Sequence, residues 1–377
     1  RFMLILGHFL PIFCFVDYSN GESSEEEIPT ILSWTPFFGS HVNHQWFQER
    51  LSDEKCPKQC RFVPRSDELN HSITDYDGVI FHTRDVSLSD LPKSRKSDQL
   101  YLLFSLEAPG NRAEGTLQKF PPFYFNRTVG YSSLNHYVFD YDRLADANLT
   151  KDAVKAKNQS ILAVISNCHT ASGRESLMKV LWAQMDITLR GRCYEKSVSG
   201  DELENLIKTH RFVIAMENTA CMEYVTEKAF RYKSLIVPIV LSRELVKDVL
   251  PADSFIAVDD FDDVTELKDR ISTLQRNDDE YMKYFAWMDR EEDQGMRFKG
   301  ICKLCTDLHN RRLLVHFSLP QAVFPDARLC ETGIVDRLLK GQKKKDWDQV
   351  IFKGGVVTLI LLVVVLLCYF WPLFCRR

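Results

Sequence analysis

The fold of this chain is restricted most by a series of short, uninterrupted apolar runs, each ending in polar residues and each followed by a longer helix-compatible stretch. In the first half these are Ile31–Trp34, Gly78–His82 and Tyr101–Ser105; in the second half they are Ile161–Ile165, Phe212–Met216, Leu235–Leu241 and Ser254–Val258. Apolar runs of strand length without polar alternation suit strands covered on both faces, as parallel sheets are. The strand-then-helix rhythm predicts an α/β fold. A polar stretch with little periodicity, Arg143–Asn158, separates the two sets and marks a domain boundary. The first unit is expected over residues 28–150 and the second over 151–312. A chain of 377 residues, 45% hydrophobic, can bury the core of both. No fixed-period repeat is present, which excludes solenoids and propellers.

The chain ends add topology. Gly354–Phe374 is almost wholly apolar and close to the about 20 residues that cross a hydrocarbon core, so a transmembrane helix is expected over 354–374. Phe2–Val16 is shorter and interrupted by His8 and Pro11, which fits a signal peptide over residues 1–20. Because the chain starts at Arg1, a truncated anchor is the alternative there. Residues 21–27 read as an acidic linker and 313–353 as a poorly patterned stem. Lys343, Lys344, Lys345 and Lys353 argue for a cytosolic stem by the positive-inside rule. Four N-x-Ser/Thr sequons, at Asn70, Asn126, Asn148 and Asn158, and the cysteine usage argue instead for a lumenal body on a Golgi or endoplasmic reticulum membrane, and this is the placement expected. Eight of the 11 cysteines lie outside the two apolar ends, an even number that suggests disulfides whose pairing sequence cannot choose. Cys302-Lys303-Leu304-Cys305 lacks a second such pair or a following His, so a structural disulfide fits better than zinc or haem. A formal net charge of -4 offers no basic field for nucleic acid.

Three windows can carry chemistry. The run Phe212–Met216 leads into Glu217-Asn218 and then into a helix-compatible stretch from Glu223 to Arg231. On one helix, Tyr224, Glu227, Lys228 and Arg231 would share a face near its N-terminal end. In open α/β sheets ligands bind beyond the carboxyl ends of strands, where helix N-termini attract phosphate. A solvated Glu-Lys-Arg face is the plain alternative. Ile161–Ile165 similarly leads through Ser166-Asn167-Cys168-His169 to Gly173-Arg174, placing an arginine able to grip phosphate oxygens at a second strand-to-helix junction. Glu107 follows the buried run Tyr101–Ser105, where partial desolvation would raise its pKa and suit a general base. A surface ion pair for Arg174 and a capping role for Glu107 are the alternatives.

Taken together these residues resemble the α1,3-fucosyltransferases of glycosyltransferase family 10, over about Ile31 to Cys305. The family's central signature stands here as Glu217-Asn218 and Tyr224-Val225-Thr226-Glu227-Lys228. Around it, in the family's order, come Trp34-Thr35-Pro36-Phe37-Phe38-Gly39, Leu106-Glu107-Ala108-Pro109, Phe125-Asn126-Arg127-Thr128, Ser166-Asn167-Cys168 with Arg174, and Gly191-Arg192-Cys193. The resemblance implies two facing Rossmann-like domains of the GT-B type, the first for a glycan or glycoprotein acceptor and the second for GDP-fucose. It implies an inverting transfer of L-fucose in α1,3 linkage to GlcNAc with Glu107 as base. It assigns Arg174, Asn218, Tyr224, Glu227 and Lys228 to the donor site, and it requires no metal or other cofactor, since Arg174 and Lys228 would stabilise the departing diphosphate.

The chain departs from the family pattern at Arg127 and at Tyr131–His136, and in lacking a glycine before Val237-Pro238-Ile239-Val240. A non-catalytic glycan- or nucleotide-binding relative, or a fucosyltransferase acting on protein hydroxyls, are the alternatives these departures leave open.

Overall fold

The computed structural model describes residues 27–41, 43–109, 114–142, 144, 149–232, 235–289, 299–310 and 327–346. The expected segments at 1–20 and 354–374, nearly all of the linker at 21–27, and the sequon at Asn148 lie outside these residues. Among the described residues no helix is long and apolar enough to cross a membrane.

Two parallel sheets form the molecule, as the strand-helix rhythm predicts. The first comprises β1 (Thr30–Ser33), β2 (Arg61–Pro64), β3 (Gly78–His82), β4 (Leu100–Ser105), β5 (Arg127–Gly130) and β6 (Tyr137–Val138), in the order β2-β1-β3-β4-β5-β6. Its central strands are buried along their whole length, β3 in all five residues and β4 in all six. Alternate residues feed two cores. Ile31, Ile80, Leu102 and Phe104 pack on one face, and Leu32, Val79, Phe81, Tyr101 and Leu103 on the other. The second sheet comprises β7 (Gln159–Val164), β8 (Ile187–Arg190), β9 (His210–Ile214), β10 (Val237–Val240) and β11 (Ile256–Ala257), in the order β11-β10-β9-β7-β8. With β7 and β9 adjacent, the crossovers from these two strands leave in opposite directions and open a crevice between their carboxyl ends.

β2, β5, β6 and β8 have no counterpart among the seven apolar runs read from sequence. They are short and mix buried with partly exposed residues, so each carries too little pattern to be seen.

Two expectations about the C-terminal third are corrected. Helix Lys299–Asn310, placed by sequence in the second unit, packs on β6 of the first sheet. A Cβ on Gly300 would stand 2.2 Å from the Val138 carbonyl oxygen, so glycine allows this close approach. Disulfides Cys56–Cys302 and Cys60–Cys305 fasten the same helix to the first unit, so the Cys-x-x-Cys pair is not bonded to itself. The segment expected to be a patternless stem holds a helix over residues 334–346 whose Ile334, Val335 and Leu338 are buried in the second core. Lys345 completes its docking at 2.8 Å from Asp263, the N-cap of helix Val264–Arg276.

Asn126 does not fit the expected glycosylation site. It is 2% exposed, and its Oδ1 accepts from the Tyr101 N–H at 2.7 Å and from Arg95. Asn70 and Asn158 are exposed.

Candidate active site

The site is built by the loops that leave the carboxyl ends of β4, β7 and β9. After β7, Thr170 donates its hydroxyl to Glu175 at 2.8 Å, and Gly173 turns the chain at a φ of +69° into helix Arg174–Gln184. Gly191, after β8, lies so close to β7 that a Cβ would meet the Ile165 carbonyl oxygen at 2.3 Å. Disulfide Cys168–Cys193 joins the same two loops.

Arg174 is 3% exposed and donates to the carbonyls of Met216 at 2.5 Å and Asn167 at 3.0 Å. Its Nε has no partner among the described residues. Burial pulls its pKa down, with Glu217 and Glu175 acting against this. A cavity of about 250 Å³ opens beside it, walled by helix Arg174–Gln184, Tyr194 and the Cys168–Cys193 bridge.

The loop after β9 is organised by Glu217, which sequence reading left out of the site. Its buried carboxylate accepts from Thr226 N–H at 2.9 Å, Thr226 Oγ1 at 2.7 Å and Lys228 Nζ at 2.8 Å. Burial pushes its pKa up, and Lys228 and Thr226 oppose the shift. Lys228 also approaches Glu227 at 3.4 Å. Burial raises the pKa of Glu227 as well, but Lys228, Thr226 and its own backbone N–H outweigh this and hold it below the ordinary value. Ser172 ties this loop to the one after β7, donating its hydroxyl to the Glu217 carbonyl at 2.7 Å and its N–H to the Asn218 carbonyl at 2.9 Å. The Asn218 Oδ1 is buried without a partner among the described residues. The apolar strand ending in a carboxylate with a lysine in the following loop was the available signal for Glu217.

The single helix expected from Glu223 is corrected to one turn, Glu227–Phe230, capped by Thr226. Glu223 adopts a φ of +60°, so Tyr224 does not continue into that helix. Tyr224 is 4% exposed, with its ring 5.0 Å from Tyr131 of the first unit. Burial raises its hydroxyl pKa far above the ordinary range, and the hydroxyl is hydrogen-bonded to Tyr141. Tyr141 in turn donates to the Leu106 carbonyl at 2.8 Å, next to Glu107. Tyr224 is therefore a wedge between the two units, placed before the helix that carries Lys228. Glu223 spans the same gap, its carboxylate accepting from Ser132 Oγ at 2.7 Å and Ser133 N–H at 2.8 Å.

Glu107 follows β4 and is half-buried, its N–H donating to Ser105 Oγ at 3.1 Å. Burial raises its pKa; Arg84 and Lys228 lower it, and Glu227 and Glu217 raise it further. The carboxylate from the first unit and the cation from the second thus share one cleft. In the Asp75-Tyr76-Asp77 string, Asp75 closes a capping box with Ser72, and Asp77 accepts from the Thr30 N–H at 2.8 Å.

Two parallel α/β sheets whose strand ends meet over a cleft with a carboxylate on one side and cations on the other form the architecture of GT-B glycosyltransferases. Residues 26–142 match the model described as "Fucosyltransferase, N-terminal", and residues 154–318 that described as "Glycosyltransferase family 10 (fucosyltransferase) C-term". The chain belongs to glycosyltransferase family 10, the fucosyltransferases. It is 27% identical over 329 residues to alpha-(1,3)-fucosyltransferase fut-5 of Caenorhabditis elegans, covering 79% of this chain and 83% of that one. It is 28% identical over 302 residues to the 4-galactosyl-N-acetylglucosaminide 3-alpha-L-fucosyltransferase FUT6 of Homo sapiens, covering 74% and 79% respectively. Its fold matches a crystal structure of an α1,3-fucosyltransferase with GDP at a TM-score of 0.51, with 16% identity over 79% of this chain and 95% of that one.

Proposed function

We propose that the protein transfers L-fucose from GDP-fucose, in α1,3 linkage and with inversion, to a GlcNAc hydroxyl of a glycan. The observation that carries this reading is the shared cleft: Glu107 at the end of β4 is close enough to Lys228, beyond β9, for the lysine's charge to lower its pKa. The acceptor hydroxyl gives its proton to Glu107 while its oxygen bonds to the anomeric carbon. The bond from that carbon to the β-phosphate oxygen breaks, and its electron pair leaves with GDP. Arg174 and Lys228 take up the charge that develops on the diphosphate, a role that stands in place of a metal ion. Glu217 holds Lys228 in position, and Asn218 and Glu227 offer a carbonyl and a carboxylate to the nucleoside or the sugar.

Burial of Glu107 supports its role as base, because a raised pKa brings a carboxylate nearer to the operating pH. The sign follows: the base works only when deprotonated, so activity falls as pH drops through a value above that of an ordinary glutamate. In Glu107→Gln, transfer of labelled fucose to N-acetyllactosamine should fall by about 10²–10⁴-fold. The KM for GDP-fucose should hardly change. Full transfer by the variant would remove Glu107 from the mechanism.

We also propose a lumenal body on a Golgi or endoplasmic reticulum membrane, anchored through 354–374. Four disulfides support an oxidising compartment, and the exposed sequons at Asn70 and Asn158 support a glycosylating one.

A further inference from the structure

The turn before helix Glu227–Phe230 holds a glutamate at a position to which glutamate is poorly suited. The Tyr224 N–H donates to the Cys221 carbonyl at 3.1 Å and closes a β-turn whose third residue, Glu223, has a φ of +60°. Gly or Asn is favoured there, because their backbones enter the left-handed region with least strain. The turn is pinned nonetheless: the Glu223 N–H donates to the Leu245 carbonyl at 2.7 Å, and disulfide Cys221–Cys330 anchors its first residue. A backbone held in such a conformation by its surroundings points to a task for the side chain it carries.

That side chain reaches the first unit. Its Oε2 accepts from Ser132 Oγ at 2.7 Å and from Ser133 N–H at 2.8 Å. Ser132 is 2% exposed, so water competes little for these charge-assisted bonds. The loop they grip is compact, with the Ser132 carbonyl accepting from the Asn135 N–H at 2.9 Å and from Asn135 Nδ2 at 3.0 Å. Asn135 covers Gly130, where an added Cβ would meet Asn135 Nδ2 at 2.9 Å and the Ser105 carbonyl oxygen at 2.7 Å. Gly130 pairs in register with Ser105, whose Oγ accepts from the Glu107 N–H at 3.1 Å. Close contacts therefore run without a break from Glu223 to the backbone of Glu107. On its other side Glu223 lies three residues before Thr226, which caps the helix of Lys228 and bonds to Glu217.

We propose that Glu223 is a positioning residue: its carboxylate clasps the Ser132–Asn135 loop and sets the alignment of Glu107 against the diphosphate end of the donor beside Lys228. This rests on the fucosyltransferase reading above. The loop it grips lies where the chain departs from the family pattern, so Ser132 and Ser133 are partners particular to this sequence. A misplacement of about 1 Å between reacting groups can cost about 10²-fold in rate, so a clasp of two hydrogen bonds governs turnover without touching either substrate.

Variants of the full chain test this. Glu223→Gly suits the positive φ, so the turn still forms while the carboxylate is lost. Its kcat with GDP-fucose and N-acetyllactosamine should fall about tenfold, the effect of losing hydrogen bonds to a charged group. The GDP-fucose Kd measured without acceptor should change less than about twofold, because the donor residues all lie in the second unit. Glu223→Gln, whose carbonyl can accept the same two bonds, should recover most of kcat. Adding Ser132→Ala to Glu223→Gly should cost no more than Glu223→Gly alone. An unchanged kcat in Glu223→Gly, no recovery by Gln, or a loss of donor affinity that matches the fall in kcat overturns the proposal. Amide exchange, read without substrate, separates the two readings: the Ser133 N–H should exchange about tenfold faster in Glu223→Gly than in the wild type. Unchanged exchange at Ser133 overturns the clasp, whereas absence of transfer by the wild type overturns the fucosyltransferase reading.

Discussion

At the scale of single residues, the site is governed by a few buried groups that have little freedom to move. Glu217 is the clearest case: three donors converge on its carboxylate, and all belong to Thr226 or Lys228. Glu217→Ala would strand these donors in a buried setting and should cost roughly 3 kcal/mol of stability, less the share that water recovers around the partly exposed Lys228. Glu217→Gln keeps an acceptor for Thr226 but removes the charge that holds Lys228. We expect it to stay folded at a slightly lower melting temperature while the GDP-fucose KM rises severalfold. Thermal denaturation alongside donor kinetics checks both; equal melting points for the Ala and Gln variants would show that Glu217 does not organise the loop.

At the scale of elements, the segment beyond the family match, 327–346, acts as a strap. Disulfide Cys221–Cys330 and two backbone bonds, Met222 N–H to Leu329 O at 3.0 Å and Glu331 N–H to Ala220 O at 2.7 Å, fasten it to the loop that carries Glu223 and Tyr224. The helix over 334–346 then buries its apolar face in the second core. Closing a long loop restricts the unfolded chain, so the double variant Cys221→Ser/Cys330→Ser should lose about 2–4 kcal/mol of stability. Because Glu223 and Tyr224 bridge to Ser132, Ser133 and Tyr131, it should also open the cleft and expose the 220–224 backbone to amide exchange. Unaltered exchange at 220–224 would mean that the disulfide only tethers the tail.

At the scale of the whole molecule, the chain returns after the second unit to the first and is held there covalently as well as by packing. Cys56–Cys302 and Cys60–Cys305 bind helix Lys299–Asn310 to the first unit, and Tyr137 donates its hydroxyl to Asp307 of that helix at 3.1 Å. All eight cysteines of the body are paired, a usage that fits the proposed oxidising, N-glycosylating compartment. Glycopeptide mass spectrometry of chain expressed through a secretory pathway should find glycans at Asn70 and Asn158 and none at Asn126, whose amide is enclosed beside Tyr101. Occupancy at Asn126 would require glycan addition before β4 and β5 close around it.

The sequence by itself determined the α/β class and most of the site, because both depend on patterns that are local along the chain. The central strands announce themselves as continuous apolar runs, since their residues are buried on both faces. Glu107, Arg174 and the residues from Asn218 to Lys228 lie in the loops and helices that follow such runs, so finding the strand end led to them, whereas the organising part of Glu217 came from its buried contacts. The tertiary structure alone decided the rest. Cysteine pairing across separations of 246, 245 and 109 residues has no local signature. The docking of 299–310 and 334–346 depends on surfaces made by distant strands, and an amphipathic stretch does not say which core it will cover. Tyr224 shows the same limit within one motif: with Glu223 at positive φ the helix starts only at Glu227, and the Tyr224 ring packs against Tyr131 at the seam between the units. A backbone reversal of that kind is decided by the contacts that reward it, here Ser132, Ser133 and Tyr131, which lie about ninety residues away along the chain.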